Sequence, residues 1–291
     1  LLSKEIATGL RGRSLDQEVF PFSFQEFLNH HGIRLPRKPF GAKTRLLLNQ
    51  QADIYCHRGG LPELQNLTPS PAREVAQSYV DAVVLRDVVE RHRVTNVKAL
   101  RSLLYKILRA PTTKLSINKA YQDFKSQGLR VTKDDLYAFL RHLSDAYLLF
   151  PLPLWSRSEK KRQVNPKKIY VIDNGIIDAY STHMTTDKGA LLENLVFITL
   201  RQRVETLGYY ETSQGHEIDF VYSKEDQTVL VQSCLSLKNQ STREREIRSF
   251  LNAQKELGDC RKIIVTLDEE EHLREQDIDV LPLWKFLMAV Q

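Results

Sequence analysis

The stretch Gly215-His216-Glu217-Ile218-Asp219-Phe220-Val221, continued by Val229-Leu230-Val231-Gln232-Ser233-Cys234, constrains the fold more than any other part of the chain. Val, Ile, Phe and Tyr fill both runs, and the polar Lys224-Glu225-Asp226-Gln227 separates them, which is the pattern of two β-strands around a turn. If Ser223 pairs with Thr228, an antiparallel register sets Asp219 opposite Gln232 and Glu217 opposite Cys234. Side chains alternate between the faces of a strand, so all four are expected on one face. Two carboxylates on one face of a hairpin suit a metal or polar site, and they equally suit an ordinary solvent face.

A helix upstream bears on that choice. Residues 189 to 204 carry apolar side chains at Leu192, Leu195, Val196 and Leu200, as a helix docked on a sheet would. Glu193 shares a stripe with Val196, Phe197, Leu200 and Val204. A carboxylate on an apolar stripe is costly to bury unless it is paired, hydrogen-bonded or bound to metal. Glu193 is therefore either an edge residue reaching water along the helix flank or a ligand aimed at Asp219.

Glu on a helix, Asp on a strand, then a strand bearing (Glu/Gln)-X-Lys: this order resembles the PD-(D/E)XK nuclease-like fold. The resemblance implies that Glu193, Asp219 and Gln232 are the catalytic set and that Glu193 and Asp219 are the ligands of Mg²⁺. In such a site the metal activates water and stabilises developing charge. Cys234 stands where the family's lysine belongs, and a thiol supplies no fixed positive charge. The site is thus expected to be nuclease-like and catalytically inactive. The alternative is an active enzyme in which Lys238, four residues on, reaches back to Asp219.

The chain has 291 residues, enough for two or three modules. Its 42 basic and 36 acidic residues leave a formal charge of +6, which permits a polyanionic partner without requiring one. Cys56, Cys234 and Cys260 are far apart and form no CxxC spacing, which argues for a reducing, cytoplasmic setting and against a structural zinc. No apolar run approaches the roughly 18 residues a transmembrane helix needs, so no membrane association is expected. The sequence opens on Leu1 rather than Met and is expected to begin inside a longer protein.

Residues 1–68 read as helix and turns rather than a complete domain. The Leu2-Ser3-Lys4-Glu5 helix leading to Gly12-Arg13, the Ser23-Phe24-Gln25-Glu26-Phe27 run and the Gly59-Gly60-Leu61-Pro62 turn resemble the part of bacterial and archaeal AAA+-like ATPases that follows the nucleotide-binding core. The motif G-x-x-x-x-G-K-[ST] is missing, and Lys38-Pro39-Phe40-Gly41-Ala42-Lys43-Thr44 lacks the glycine spacing needed to cradle phosphate. By this resemblance ATP is held only by sequence upstream of this chain, and Arg11 or Arg13 senses it, as an arginine finger does; otherwise both arginines end a solvated helix.

Residues 69–175 are expected to form a helical, winged-helix domain. Pro69-Ser70-Pro71 is expected to be a linker. Amphipathic helices follow over 72–91 and 97–108. Ser116 is expected to cap one helix, and Thr132 with Asp135 another, as an approximate capping box. Strands then flank a wing over 155–168. Arg157, Lys160, Lys161, Arg162, Lys167 and Lys168 on that wing, beside Lys133 and Arg141 on the preceding helix, suit contacts to nucleic-acid phosphates. The same pattern fits a solvated loop or a surface for an acidic protein partner. Asp87-Val88-Val89-Glu90-Arg91-His92, Ser116-Ile117-Asn118-Lys119, Asp145-Ala146-Tyr147-Leu148-Leu149-Phe150 and Ile169-Tyr170-Val171-Ile172-Asp173-Asn174-Gly175 follow in the order of the C-terminal region of the same ATPases.

Residues 176–291 complete the expected α/β architecture: a lid remnant, a winged helix-turn-helix, and a PD-(D/E)XK nuclease-like mixed sheet flanked by helices. A helix over 243–257 followed by the strand 262–267 favours a parallel crossover. Glu269-Glu270-Glu271 is expected to be a solvated loop. The expected function is the C-terminal DNA- or partner-binding region of an AAA+-like ATPase, with an active nuclease and a protein-interaction scaffold as its rivals.

Overall fold

A computed structural model describes residues 18–181 and 187–289. The expected helix over residues 1–13, with Arg11 and Arg13, lies outside them. Helix α1 (Phe24–His30) is set by a capping box in which Ser23 accepts from the Glu26 amide and Glu26 accepts from the Ser23 amide. Helix α2 (Ala42–Arg58) ends at Gly59, whose φ of 72° suits a residue without a side chain. Helix α3 (Pro69–Ala82) runs into a π-helical continuation, Val83–Glu90. Pro69 and Pro71 are thus not a linker: Pro69 occupies the first helical position, where a missing amide proton costs nothing.

Helix α4 (Val97–Arg109) is followed by the short β1 (Lys114–Leu115), then α5 (Ile117–Ser126) and α6 (Lys133–Asp145). The capping box of Thr132 and Asp135 forms as expected. β2 (Leu149–Leu152) and β3 (Lys167–Val171) pair antiparallel, and β1 joins the far side of β3, giving a three-stranded sheet in the order β1-β3-β2. The β2–β3 connection is not all loop. Ser158 caps a short helix, α7 (Glu159–Val164), in which Arg162 pairs with Glu159.

Helices α8 (Asn174–Tyr180) and α9 (Lys188–Arg201) precede the second sheet. β5 (Glu217–Lys224) pairs antiparallel with both β4 (Leu207–Glu211) and β6 (Gln227–Ser233); α10 (Gln240–Leu257) then crosses to β7 (Cys260–Thr266), which lies parallel to β6. β8 (Glu271–Leu273), β9 (Ile278–Pro282) and helix α11 (Leu283–Ala289) close the fold, giving the order β4-β5-β6-β7-β9-β8. The acidic triplet is not a plain solvated loop. Glu269 accepts hydrogen bonds from the Ser236 hydroxyl and the Leu237 amide, Glu270 pairs with Lys285, and Glu271 begins β8.

The β5–β6 turn places Glu225 and Asp226 at φ of 49° and 63°, as a tight hairpin with right-twisted strands requires. α9 covers one face of the large sheet and is buried on almost every side, which is why its sequence is apolar well beyond one stripe. α10 covers the other face, where Phe250 and Ala253 meet Leu230 and Ile264. The main core is continuous from Phe24 to Leu287 and crosses the expected boundaries near residues 68 and 175. Among the described residues no helix is long and apolar enough to cross a membrane.

Candidate functional site: a buried lysine among carboxylates

The expected register Ser223↔Thr228 is present, but the β5–β6 ladder ends at Phe220↔Val231. Between Gly208↔Val221 and Tyr210↔Ile218 the β4 strand advances two residues while β5 advances three, a β-bulge at Asp219–Phe220. Such a bulge re-aims side chains. Beyond it, side chains bridge the strands. The Asp219 amide donates to Gln232 Oε1 at 3.0 Å, while Asp219 Oδ2 accepts from the Ser233 amide at 2.9 Å and the Ser233 hydroxyl at 2.8 Å.

Asp219 and Glu193 do come together, and a lysine lies between them. Lys168 Nζ is 2.7 Å from Glu193 Oε1, 2.8 Å from Glu217 Oε1 and 3.1 Å from Asp219 Oδ1. Its side chain is 4% exposed, against 15% for Glu193, 9% for Asp219 and 33% for Glu217. Lys168 therefore differs from the expectation of a phosphate-contacting wing residue. β3 is buried from Lys168 to Val171, and the chain alternation that sends Tyr170 inward sends Lys168 with it.

The cluster extends on both sides. The Tyr170 hydroxyl donates to Glu193 Oε1 at 2.7 Å, and its ring stacks on Phe197 with centroids 4.0 Å apart. On the outer side Lys114 bridges Glu217 at 2.7 Å and Glu211 at 2.6 Å. Burial alone would pull the Lys168 ammonium down; Asp219, Glu193 and Glu217 outweigh it and hold it charged. Burial, reinforced by Asp219, pushes the Glu193 carboxyl up to about 7 even with Lys168 beside it. Burial also acts on Glu217, but Lys168 and Lys114 prevail and its pKa is lowered.

Gln232 does not join the carboxylate face. Besides binding the Asp219 backbone it reaches Glu246 of α10, a buried acid paired with Arg245 and pushed up by desolvation. Cys234 is buried, donates its thiol to the Ser236 carbonyl and is likewise raised by burial. Lys238 is exposed; the lysine beside the Asp219 carboxylate is Lys168.

The donor set does not fit a Mg²⁺ ion. Magnesium needs oxygen ligands at about 2.0–2.1 Å in an octahedral shell. Here one oxygen from each of three carboxylates is directed at an ammonium, and no group of three or more His, Cys, Asp or Glu among the described residues is arranged to hold a metal.

The basic residues fall into two groups. Lys160 and Lys161 on α7, Arg157 before it, Lys133 at the start of α6 and Arg141 near its end are exposed, and Arg162 and Lys167 are half-buried. Lys133 Nζ lies over the Tyr121 ring at 5.7 Å. Lys168 alone is turned into the protein. The inward roles of Lys168, Tyr170 and Lys114 were missed at the level of sequence. The signal lay in the apolar run Ile169-Tyr170-Val171-Ile172, which marks a strand buried on both faces and leaves its first lysine little surface to occupy.

Comparison with known proteins sets this site in context. A family model described as a domain of unknown function, DUF8612, matches residues 49–187, and a second, DUF4143, matches residues 188–286. The uncharacterized protein MJ1544 of Methanocaldococcus jannaschii is 33% identical over an alignment covering 99% of this chain and 67% of that protein. The chain belongs to the family of MJ1544. An uncharacterized protein of Haemophilus influenzae is 25% identical, with 99% of this chain and 68% of that protein aligned. The crystal structure of protein VC1899 from Vibrio cholerae aligns at 12% identity over 96% of this chain and 63% of that one, with a TM-score of 0.29, which does not establish a shared fold. In this family member the carboxylates of the cluster all lie in the DUF4143 match, whereas Lys114, Lys168 and Tyr170 lie in the DUF8612 match. The site is built across that junction.

Proposed function

We propose that this chain is the C-terminal, DNA-binding region of an AAA+-like ATPase, in which a nuclease-like domain grips nucleic acid without cutting it. One observation carries the proposal: Lys168 Nζ sits on Glu193 Oε1 and Asp219 Oδ1, the oxygens a nuclease would offer to Mg²⁺. A lysine that assists catalysis stands beside the metal, whereas this one stands in its place. The order α9-β4-β5-β6-α10-β7, with a helix on each face of the sheet, supports a PD-(D/E)XK-like reading of the second sheet. The order α4-β1-α5-α6-β2-β3, with β1 against β3, supports a winged-helix reading of the first. The exposed residues Arg157, Lys160 and Lys161, with the half-buried Arg162 beside them, then supply the phosphate contacts, with Lys133 and Arg141 on α6. ATP belongs to the whole protein rather than to this region, and three free, buried cysteines suit a cytoplasmic setting.

A Mg²⁺ or Mn²⁺ titration with labelled duplex and single-stranded DNA, following binding and cleavage together, tests this reading. Salt-sensitive binding without cleavage is expected. Metal-dependent cleavage that disappears in Asp219→Ala would overturn it in favour of an active nuclease whose lysine comes from β3. Absence of any DNA affinity would leave a protein partner as the ligand of this region.

A further inference from the structure

Lys133, Tyr137 and Arg141 recur at every fourth position of α6, so they lie one above another on its exposed side, while Leu136, Phe139 and Leu143 are buried. Tyr137 is 59% exposed. Among the described residues every other Trp, Tyr and Phe is buried or half-buried. The Tyr137 hydroxyl has no hydrogen-bond partner among those residues, and neither Lys133 nor Arg141 is in an ion pair with them. A single apolar group at the surface is ordinary. The setting of this one is not: it stands one helical turn from a cation on each side, and Lys133 Nζ also lies over the ring of Tyr121 on α5, 5.7 Å from its centroid. Across α5 and α6 the order is therefore Tyr121, Lys133, Tyr137, Arg141, with rings and cations alternating.

We propose that Tyr137 is a stacking platform for an unpaired base, with Arg141 and Lys133 on the flanking phosphates, an inference that rests on the DNA-binding reading and narrows the ligand to single-stranded DNA. Cations alone would serve the phosphates of any nucleic acid. A free aromatic face adds something a duplex cannot use, because paired bases cover one another's faces and offer only their edges in the grooves. An unpaired base offers its face, and every base has one, so stacking on a ring is tolerant of sequence. This agrees with α6 carrying no distinctive set of base-reading side chains. Two acids stand in the first turn of α6. Asp135 is turned back onto Thr132 in the capping box, and Asp134 is exposed. Asp134 repels phosphate beside Lys133, which makes Arg141 the stronger phosphate contact and leaves the uncharged Tyr137 face unaffected.

The test measures binding of the full chain to single-stranded oligothymidylate and to a blunt duplex of equal length over a range of salt concentrations. The wild type should prefer the single strand. Tyr137→Ala should weaken single-strand binding by about fivefold or more, as loss of one stacked base does. It should leave duplex binding within about twofold and the slope of log affinity against log salt unchanged, because no charge is lost. Tyr137→Phe, which keeps the ring, should bind as the wild type does, and Arg141→Gln should lower the slope by about 1. A wild type that prefers duplex, a Tyr137→Ala chain that binds single strands normally, or a Tyr137→Phe chain as weak as Tyr137→Ala would overturn the stacking site while leaving DNA binding in place. A wild type that binds neither strand form would overturn the proposed function and the stacking site together.

Discussion

Replacing Lys168 by Met should be among the most damaging single changes this fold can suffer, and its cost should depend on pH. The methionine fills the space of the lysine stem without bringing a charge. Glu217 is half-exposed and retains Lys114, so the residues stranded are Glu193 and Asp219, whose side chains are 15% and 9% exposed. Removing one partner of a buried ion pair costs about 3–5 kcal/mol, because the remaining charge stays desolvated. Glu193 offers partial relief by taking up a proton. Its pKa in the folded protein is already raised to about 7, so the native state holds a proton that the unfolded chain releases. Stability from this group is therefore present at low pH and falls as pH rises from the ordinary Glu value, about 4.5, toward about 7. Without Lys168 the folded pKa climbs further, and the fall continues to higher pH at about 1.4 kcal/mol per unit. Urea unfolding of wild type and Lys168→Met at pH 5.5 and pH 8.5 should show a deficit of about 3–5 kcal/mol at the higher pH and a clearly smaller one at the lower. Glu193→Gln added to Lys168→Met should recover part of the loss at pH 8.5. A deficit under about 1 kcal/mol at pH 8.5, or one that does not change with pH, would refute the reasoning, because it would mean the cluster is either hydrated or already neutral.

Other perturbations probe separate parts of the structure. Charge reversal of Lys160, Lys161 and Arg162 should lower DNA affinity and reduce the slope of log affinity against log salt by about 2–3, as three lost phosphate contacts require; an unchanged slope in a filter-binding titration would remove α7 from the interface. Gly60→Ala places a Cβ 2.2 Å from the backbone oxygen of Phe22, which no rotamer change can relieve, so a loss of more than about 2 kcal/mol in chemical denaturation is expected and a near-neutral result would contradict the packing. Asn194→Ala removes a fully buried amide that bonds both the amide and carbonyl of Val171 as well as Asn174 Oδ1. The orphaned groups should cost about 2–4 kcal/mol, measurable by the same unfolding curves. Asp173, buried and accepting from the Gly60 and Gly175 amides, is pushed up to about 7 by desolvation. Like Glu193 it makes the wild type lose stability as pH rises toward 7, and Asp173→Asn should flatten that part of the profile.

Much of this architecture is legible in the residues. Ser223 and Thr228 pair as the polar turn between them dictates, because a tight two-residue turn at Glu225-Asp226 fixes which residues of the two strands face each other. Thr132 and Asp135 cap α6 because their spacing alone satisfies two orphan amides. The meeting of Glu193 with Asp219 follows from the expense of burying an unpaired acid on an apolar stripe. The rest depends on contacts between distant segments. No local rule signals the bulge that turns Asp219, since it is fixed by how β4 and β5 slip past one another. Nor can spacing show that Lys168 travels to carboxylates 25 to 51 positions away in the chain, as its partners Glu193 and Asp219 require. A row of basic residues looks uniform on paper, and only the strand pleat separates Lys167 from Lys168.

Helix α11, the final described element, leans on α1 and α2, and Trp284 meets Phe40 with ring centroids 6.0 Å apart. The large sheet is thereby tied to α1 and α2 through the helix that follows its last strand. The division between the two family matches at residues 187 and 188 is consequently no natural place to cut. A fragment starting there would keep every strand of the six-stranded sheet yet lose the seat of its last helix and both lysines that neutralise its acids. Each side of that division supplies packing or charge that the other lacks.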